Sequence, residues 1–240
     1  SGSAESDPRA VPALPEPGAP VKDTGYDATR SLLARAGLPF VAQRTVDSAA
    51  AARDAAAAIG YPVVLKALGA LHKSDAGGVR LGLADSDELA AAYAEIDARL
   101  HPDAFSVEAM APLADGVELL IGARWDPRFG PVTLAGLGGV YAEVMRDVAV
   151  SLAPVTDAQA NAMLRSLKAF PLLDGARGRP ALDVAAAANA LAGLSRVAAE
   201  HPEIGELEVN PLLVLPDGAV GLDARMIPKA PPSGAADHLI

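Results

Sequence analysis

The chain has 240 residues, a formal net charge of −10, 51% hydrophobic but only 4% aromatic residues, and no cysteine. This length suits one large domain or two small lobes with a substantial core, and the Ala-rich, aromatic-poor composition favours packed helices over an aromatic-rich β-sandwich. Disulfides and thiolate metal sites are excluded, the acidic balance argues against sequence-independent nucleic-acid binding, and no apolar run reaches the roughly 18 residues that span a bilayer.

A nucleotide remains admissible, because a local Lys/Arg pocket can hold a polyphosphate whose divalent cation itself wants carboxylates. With no cysteine and no signal peptide, the expected location is cytoplasmic. Residues 1–23 open Ser-Gly-Ser without Met, as an expression remnant would, and continue as AESDPRAVPALPEPGAPVK. This Pro/Ala-rich, aperiodic stretch reads as a linker or disordered arm, with another domain expected ahead of it. Residues 230–240 read as a loose tail. Between them, residues 24–105 and 106–229 are expected to form two α+β lobes.

In the first lobe the pattern predicts a helix from Gly25 to Ala36, ended by Gly37 with Pro39 beyond. Asp47 or Ser48 caps an Ala-rich helix that stops at Gly60. YPVVLKAL then turns to a buried strand, and VRLGL is another. Asp85 with Glu88 forms a capping box, and Leu89, Tyr93, Ile96 and Leu100 follow at helical spacing. In the second lobe FSVEAM, VELLIGARW, PVTLAGLG and VAVSLAP are strand candidates. Helices follow at 157–169 and 183–200, the latter with Val184, Leu191, Leu194 and Val197 on its apolar face.

A closing hairpin runs from Glu206 to Met226. Pro216-Asp217 fits the middle of a type I turn, with Gly218 after it. If Leu215 pairs with Gly218, Asn210 lies opposite Asp223, with Glu208 two residues back on the same face. Leu207 and Val209 then face Met226 and Ala224, a better apolar match than a one-residue shift allows. Asn210, Asp223 and Glu208 offer hard oxygen donors of the kind Mg²⁺ takes together with phosphate oxygens and water. A solvent-facing polar row on an edge hairpin would carry the same residues.

Lys66 sits on a buried strand and needs an anionic partner, since an unpaired buried charge is costly. Phosphate is one candidate; a structural ion pair, or a lysine reaching the edge, is the other. Gly77-Gly78 lets backbone amides approach an anion or forms an ordinary turn. His72, in the same polar loop, can attack phosphorus as a neutral imidazole or serve as a surface histidine. No Walker A loop is present, and Gly136 to Gly139 is not a dinucleotide fingerprint, since Tyr141 holds its last position.

Taken in order, GYPVVLKALGALHKSDAGGVRLGL, FSVEAMAPLADGVELLIGARWDPRFGPVTLAGLGGVYAEVMRDVAVSLAP, LLDGARG and ELEVNPLLVLPDGAVGLDAR resemble one known family. It is the ATP-grasp domain of NDP-forming acyl-CoA synthetases, which includes the ADP-forming acetate–CoA ligases and is related to the succinyl-CoA synthetase β subunit. The resemblance covers about residues 24 to 228. It implies an α+β ATP-grasp fold with ATP or ADP in a cleft between two lobes. Lys66 would contact the phosphates, and Glu108, Ala109 and Met110 would form the strand whose backbone reads adenine. Glu118 would hold the ribose. Gly77, Gly78, Gly136, Gly138, Gly139 and Glu143 would line the phosphate end, and Asn210 and Asp223 would ligate Mg²⁺. Glu208 stands where the family pattern E-L-D-x-N-P more often has aspartate. HKSDAGGV resembles the loop of a second phosphohistidine, so His72 would relay phosphate between the nucleotide and a first phosphohistidine on a CoA-ligase domain. Asp75 could orient its ring.

Nothing in the chain resembles the CoA-binding or ligase domains. The expected partner is therefore a CoA-binding/CoA-ligase α subunit or fused domain, with neither nucleic acid nor membrane. The alternative is a regulatory nucleotide-binding module of a fusion, for example with an acetyltransferase.

Overall fold

The computed structural model describes residues 12–69, 77–138 and 147–230. By their internal contacts they form two compact units, one of residues 41–112 and a larger one of residues up to 40 and from 113 onward. The expected lobes put residues 24–40 with the first and 106–112 with the second. The first helix instead packs with the larger unit, and strand residues 106–109 complete the sheet of the smaller one.

The smaller unit is a four-stranded antiparallel sheet with two helices on one face. Its elements in chain order are β1 (Gln43–Val46), α2 (Ala49–Ile59), β2 (Val63–Leu68), β3 (Val79–Leu83), α3 (Ser86–Leu100) and β4 (Ala104–Ala109), α1 (Tyr26–Arg35) belonging to the larger unit. Strand order is β1-β4-β2-β3. Ser48, not Asp47, caps α2 by accepting the Ala51 N–H. Asp85 accepts from Asp87 and Glu88 N–H groups, as expected, but Glu88 reaches one residue further back than a capping box requires, to the Ala84 N–H at 2.8 Å. β1 has no counterpart among the expected strands: it is short, polar and half exposed. Val63, Leu65 and Ala67 from β2 join Phe105 and Val107 from β4, and Leu89, Tyr93 and Ile96 from α3, in one core. Alternation along the strands sends their intervening residues to the opposite face.

The larger unit holds a six-stranded antiparallel sheet of order β10-β8-β5-β6-β7, with β9 also paired to β8. Its strands are β5 (Val117–Asp126), β6 (Gly130–Leu137), β7 (Val148–Leu152), β8 (Ile204–Leu215), β9 (Gly218–Gly221) and β10 (Ala224–Pro228). α4 (Asp157–Arg165) and α5 (Val184–Glu200) cover one face, burying Leu191, Leu194 and Val197 against Leu119, Ile121, Leu207 and Val209. α4 ends a turn before the expected position 169, where the Ser166 hydroxyl turns back to the Met163 carbonyl. α1 closes with Leu38 N–H donating to Leu33 O and Gly37 N–H to Ala34 O, a Schellman ending.

Residues 12–23, expected as part of a linker or disordered arm, are partly docked. Gly18 N–H donates to the Glu200 carbonyl at 2.8 Å, and Val21 N–H donates to Glu203 Oε1 at 2.7 Å. No helix among the described residues is long and apolar enough to cross a membrane.

Candidate functional site

In the smaller unit, β2 is buried along its whole length and lies between β4 and β3. Lys66 pairs in register with Ser106 of β4 and Val79 of β3. It therefore shares the helix-free face with Ser106 and Glu108. Its Nζ stands 3.0 Å from Glu108 Oε2, so the anionic partner that burial demands is supplied here by a carboxylate. The Ser106 hydroxyl donates to Glu108 Oε1 at 2.9 Å, and the Gln43 amide oxygen lies 3.1 Å from the same hydroxyl. Gln43 and Ser106 complete a polar cluster that sequence reading missed. Its signal is cross-strand register, which becomes visible once β1 and β2 are both known to flank β4.

Gly77 and Gly78 come to the same end of β2. Gly78 O accepts the N–H of Ala67, next to Lys66, at 2.8 Å. Gly77 O accepts from Arg99 Nη2 at 2.6 Å and from Arg80 Nη1 at 3.2 Å. Ala109 and Met110 are half-buried. Their N–H groups already donate within the unit, to Ala42 O at 2.9 Å and Pro62 O at 3.4 Å. An adenine acceptor would have to share them, and the long Met110 bond is the easier to give up. His72, with Lys73, Ser74 and Asp75, lies outside the described residues.

In the larger unit, Glu118 and Gly138 are brought together. Gly138 N–H donates to the Glu118 carbonyl at 2.9 Å, and its α-carbon lies so close to the Glu118–Leu119 chain that a Cβ would stand 2.8 Å from the Leu119 carbonyl carbon. Gly136 lies on β6, paired with Leu120 and Val148. Gly139 and Glu143 lie outside the described residues. Beyond them, buried Asp147 accepts the Lys168 and Ala169 N–H groups at 2.9 and 2.8 Å.

The closing hairpin has the expected register. Leu215 pairs with Gly218, Ala224 with Val209 and Met226 with Leu207. Asn210 N–H donates to the Asp223 carbonyl at 3.1 Å. The return strand is broken at Leu222–Asp223, where it passes from β9 to β10. β10 forms the edge of this sheet and β8 lies between it and β5, so the hairpin stands at the sheet edge with Glu208, Asn210 and Asp223 half-buried. Glu208 faces Arg225 in register, with Arg225 Nη2 at 3.4 Å from its Oε1. Burial pushes the Glu208 carboxyl above the usual range; Arg225 opposes this, while Glu206 and Asp223 add to it. Among the described residues no three of His, Cys, Asp and Glu form a metal cluster. By chemistry alone, Asn210, Asp223 and Glu208 would offer Mg²⁺ two carboxylates and an amide, with phosphate and water completing the shell.

A cavity of about 570 Å³ lies between residues 18–23, α1 and α5. It contains none of the expected site residues; cations Lys22, Arg35 and Arg196 and acids Asp23 and Glu200 line it, with Arg196 Nε 3.8 Å from Glu200 Oε1.

The ATP-grasp domain family model matches residues 24–227. A trans-feruloyl-CoA synthase from an unknown prokaryotic organism is 41% identical over 92% of this chain and 32% of its own length. The β subunit of an ADP-forming acetate–CoA ligase from Pyrococcus furiosus is 40% identical over 70% of this chain and 76% of that subunit. The chain thus spans about a third of the former relative and three quarters of the latter. A solved structure of a dinucleotide-forming acetyl-coenzyme A synthetase from Korarchaeum cryptofilum, in complex with coenzyme A and Ca-AMPCP, superimposes with a TM-score of 0.80 at 36% identity, covering 85% of this chain and 93% of that one. Another structure of that protein holds Mg-AMPPCP and a phosphohistidine segment pointing towards the nucleotide-binding site.

Proposed function

The chain belongs to the ATP-grasp domain family, and from that premise we propose that it is the nucleotide-binding, phosphoryl-transfer part of an ADP-forming acyl-CoA synthetase. The observation that carries this reading is the 40% identity to the Pyrococcus β subunit over 76% of its length, since the match takes in most of a subunit. The relatives above are named as synthases and ligases, which does not favour the regulatory alternative. A CoA-binding/CoA-ligase partner, as subunit or fused domain, supplies the rest of the cycle. Use of ATP suits a cytoplasmic location.

In this reading Lys66 contacts the ATP phosphates, Glu118 the ribose, and the strand from Glu108 to Met110 the adenine. Gly77, Gly78, Gly138, Gly139 and Glu143 lie along the phosphates. Asn210 and Asp223, with Glu208 near, hold Mg²⁺, which when bound offsets charge on the transferring phosphoryl group. An imidazole nitrogen of His72 attacks the γ-phosphorus. The N–P bond forms as the bond to the bridging oxygen breaks, and the electron pair leaves on ADP. The phosphoryl group then passes to a histidine of the CoA-ligase domain. Over the cycle acyl-CoA, ADP and phosphate exchange with carboxylic acid, CoA and ATP.

Phosphate transfer from γ-labelled ATP with Mg²⁺ tests this, wild type beside His72→Ala, with the CoA-ligase partner added. Acid-labile, base-stable label in the wild type and none in His72→Ala is the expected result. Nucleotide binding without any label on His72, partner present, would overturn the relay.

A further inference from the structure

Asp223 stands at a weak point of the sheet. β9 is four residues long, the return strand breaks after it, and β10 resumes at Ala224. A Mg²⁺ ligand must nevertheless be held closely, because the ion demands near-octahedral geometry at short distances. The chain before the break is braced from outside the hairpin. Gly221 N–H donates to the Pro39 carbonyl at 2.8 Å, and Phe40 forms a parallel bridge with Gly221. A Cβ on Gly221 would stand 2.5 Å from Phe40 Cε1 and 2.7 Å from Cδ1, so the ring lies directly on the glycine.

Behind Phe40 is Arg30, which is 5% exposed. Its guanidinium carbon lies 4.8 Å from the Phe40 ring centroid and 5.2 Å from that of Tyr26, and its Nη1 donates to the Tyr26 hydroxyl at 2.8 Å. An aliphatic side chain would fill this space without the desolvation that a buried cation brings. Whatever else it holds, the planar guanidinium over the Phe40 ring limits how that ring can turn.

We propose that Arg30 and Phe40 are positioning residues for the Asn210–Asp223 pair, with the Tyr26–Arg30–Phe40 stack pinning Gly221 and thereby setting the Asp223 carboxylate. The proposal rests on the metal-site reading of that pair. Beyond Gly221 the path to the ligand is short. Leu222 N–H donates to Pro211 O at 2.9 Å, Asn210 N–H to Asp223 O at 3.1 Å, and Ala224 N–H to Asp223 Oδ1 at 3.0 Å. Displacement of Gly221 is carried through these three bonds to both donors.

The test is calorimetric binding of ADP to the full chain, in Mg²⁺ and in EDTA, with thermal denaturation alongside. Arg30→Met and Phe40→Leu are expected to weaken ADP binding about tenfold in Mg²⁺, as outer partners of metal ligands do, and to leave binding in EDTA within about twofold. Phe40→Tyr keeps the ring face and is expected to retain wild-type binding. Should Arg30→Met fail to fold, the two Phe40 variants decide. Equal losses with and without Mg²⁺, or a lower Tm with unchanged Mg²⁺-dependent binding, overturn the positioning role. Asp223→Asn separates the two layers. If it loses Mg²⁺-dependent binding while Arg30→Met and Phe40→Leu keep theirs, positioning alone is wrong. If it keeps that binding, the metal reading fails and the proposal falls with it.

Discussion

Lys66 and Glu108 form an ion pair of 3.0 Å in which both side chains are under a tenth exposed. Removing one member of such a pair costs about 3–5 kcal/mol, whereas replacing both with apolar side chains is often neutral. Glu108→Ala is expected to lose stability of that order in chemical denaturation. The double variant Lys66→Met, Glu108→Leu should regain most of it and still bind ATP poorly by calorimetry. Wild-type ATP affinity in the double variant would reduce Lys66 to a structural role.

Glu208 gives a pH signature. Burial holds its carboxyl above the usual range, so the native state keeps that proton more tightly than the unfolded chain does. Stability then falls as pH rises from the ordinary carboxylate value through the raised native one. Without Mg²⁺, Glu208→Gln should exceed wild type in Tm at neutral pH and converge with it below about pH 4. A Tm deficit at neutral pH would mean that pairing with Arg225 outweighs burial.

Glu203 works in the opposite direction. Burial pulls its carboxyl up, but hydrogen bonds from the Val21 N–H, its own N–H and His201 pull it down further, for a net lowering. The stability it contributes is present above the ordinary carboxylate value and is lost as pH falls through the lowered one. Glu203→Ala should cost about 1 kcal/mol and speed hydrogen exchange at Val21 and Gly18 without touching nucleotide binding. Unchanged exchange at Val21 would show that the arm is held by other contacts.

Thr133 is fully buried, and among the described residues its hydroxyl has no hydrogen-bond partner. It lies opposite Ala123 on the helix-covered face of the larger sheet. Thr133→Val removes the unmatched hydroxyl at almost the same shape and is expected to stabilise by about 1 kcal/mol in chemical denaturation. A loss instead would reveal a partner for Oγ1.

Much of this molecule is written locally. Ser48 and Asp85 cap their helices because a short side chain beside the first turn meets its free N–H groups. Pro216-Asp217-Gly218 sets a turn, and alternation then fixes the register that brings Asn210 opposite Asp223. Lys66 and the hairpin acids were legible for the same reason: strand alternation assigns each residue a face before any partner is known. The family resemblance extended that reading to His72, Gly139 and Glu143.

Other features depend on chain segments far apart in sequence, and no local signal encodes them. β1 is a strand because β4 offers it an edge; its polar QRTV run has little preference of its own. α1 joins the larger unit because Leu33 and Leu38 are buried in that unit's core, although sequence order places them before the smaller one. Pairing of Glu108 with Lys66, the pull of Arg225 on Glu208, the docking of Val21 and the bracing of Gly221 by Phe40 and Arg30 arise only when tertiary packing removes these groups from water. By itself the sequence determined which residues could carry charge, ligand atoms and turns. Packing decided which of them meet, because burial makes an unmatched polar group costly enough to select its partner.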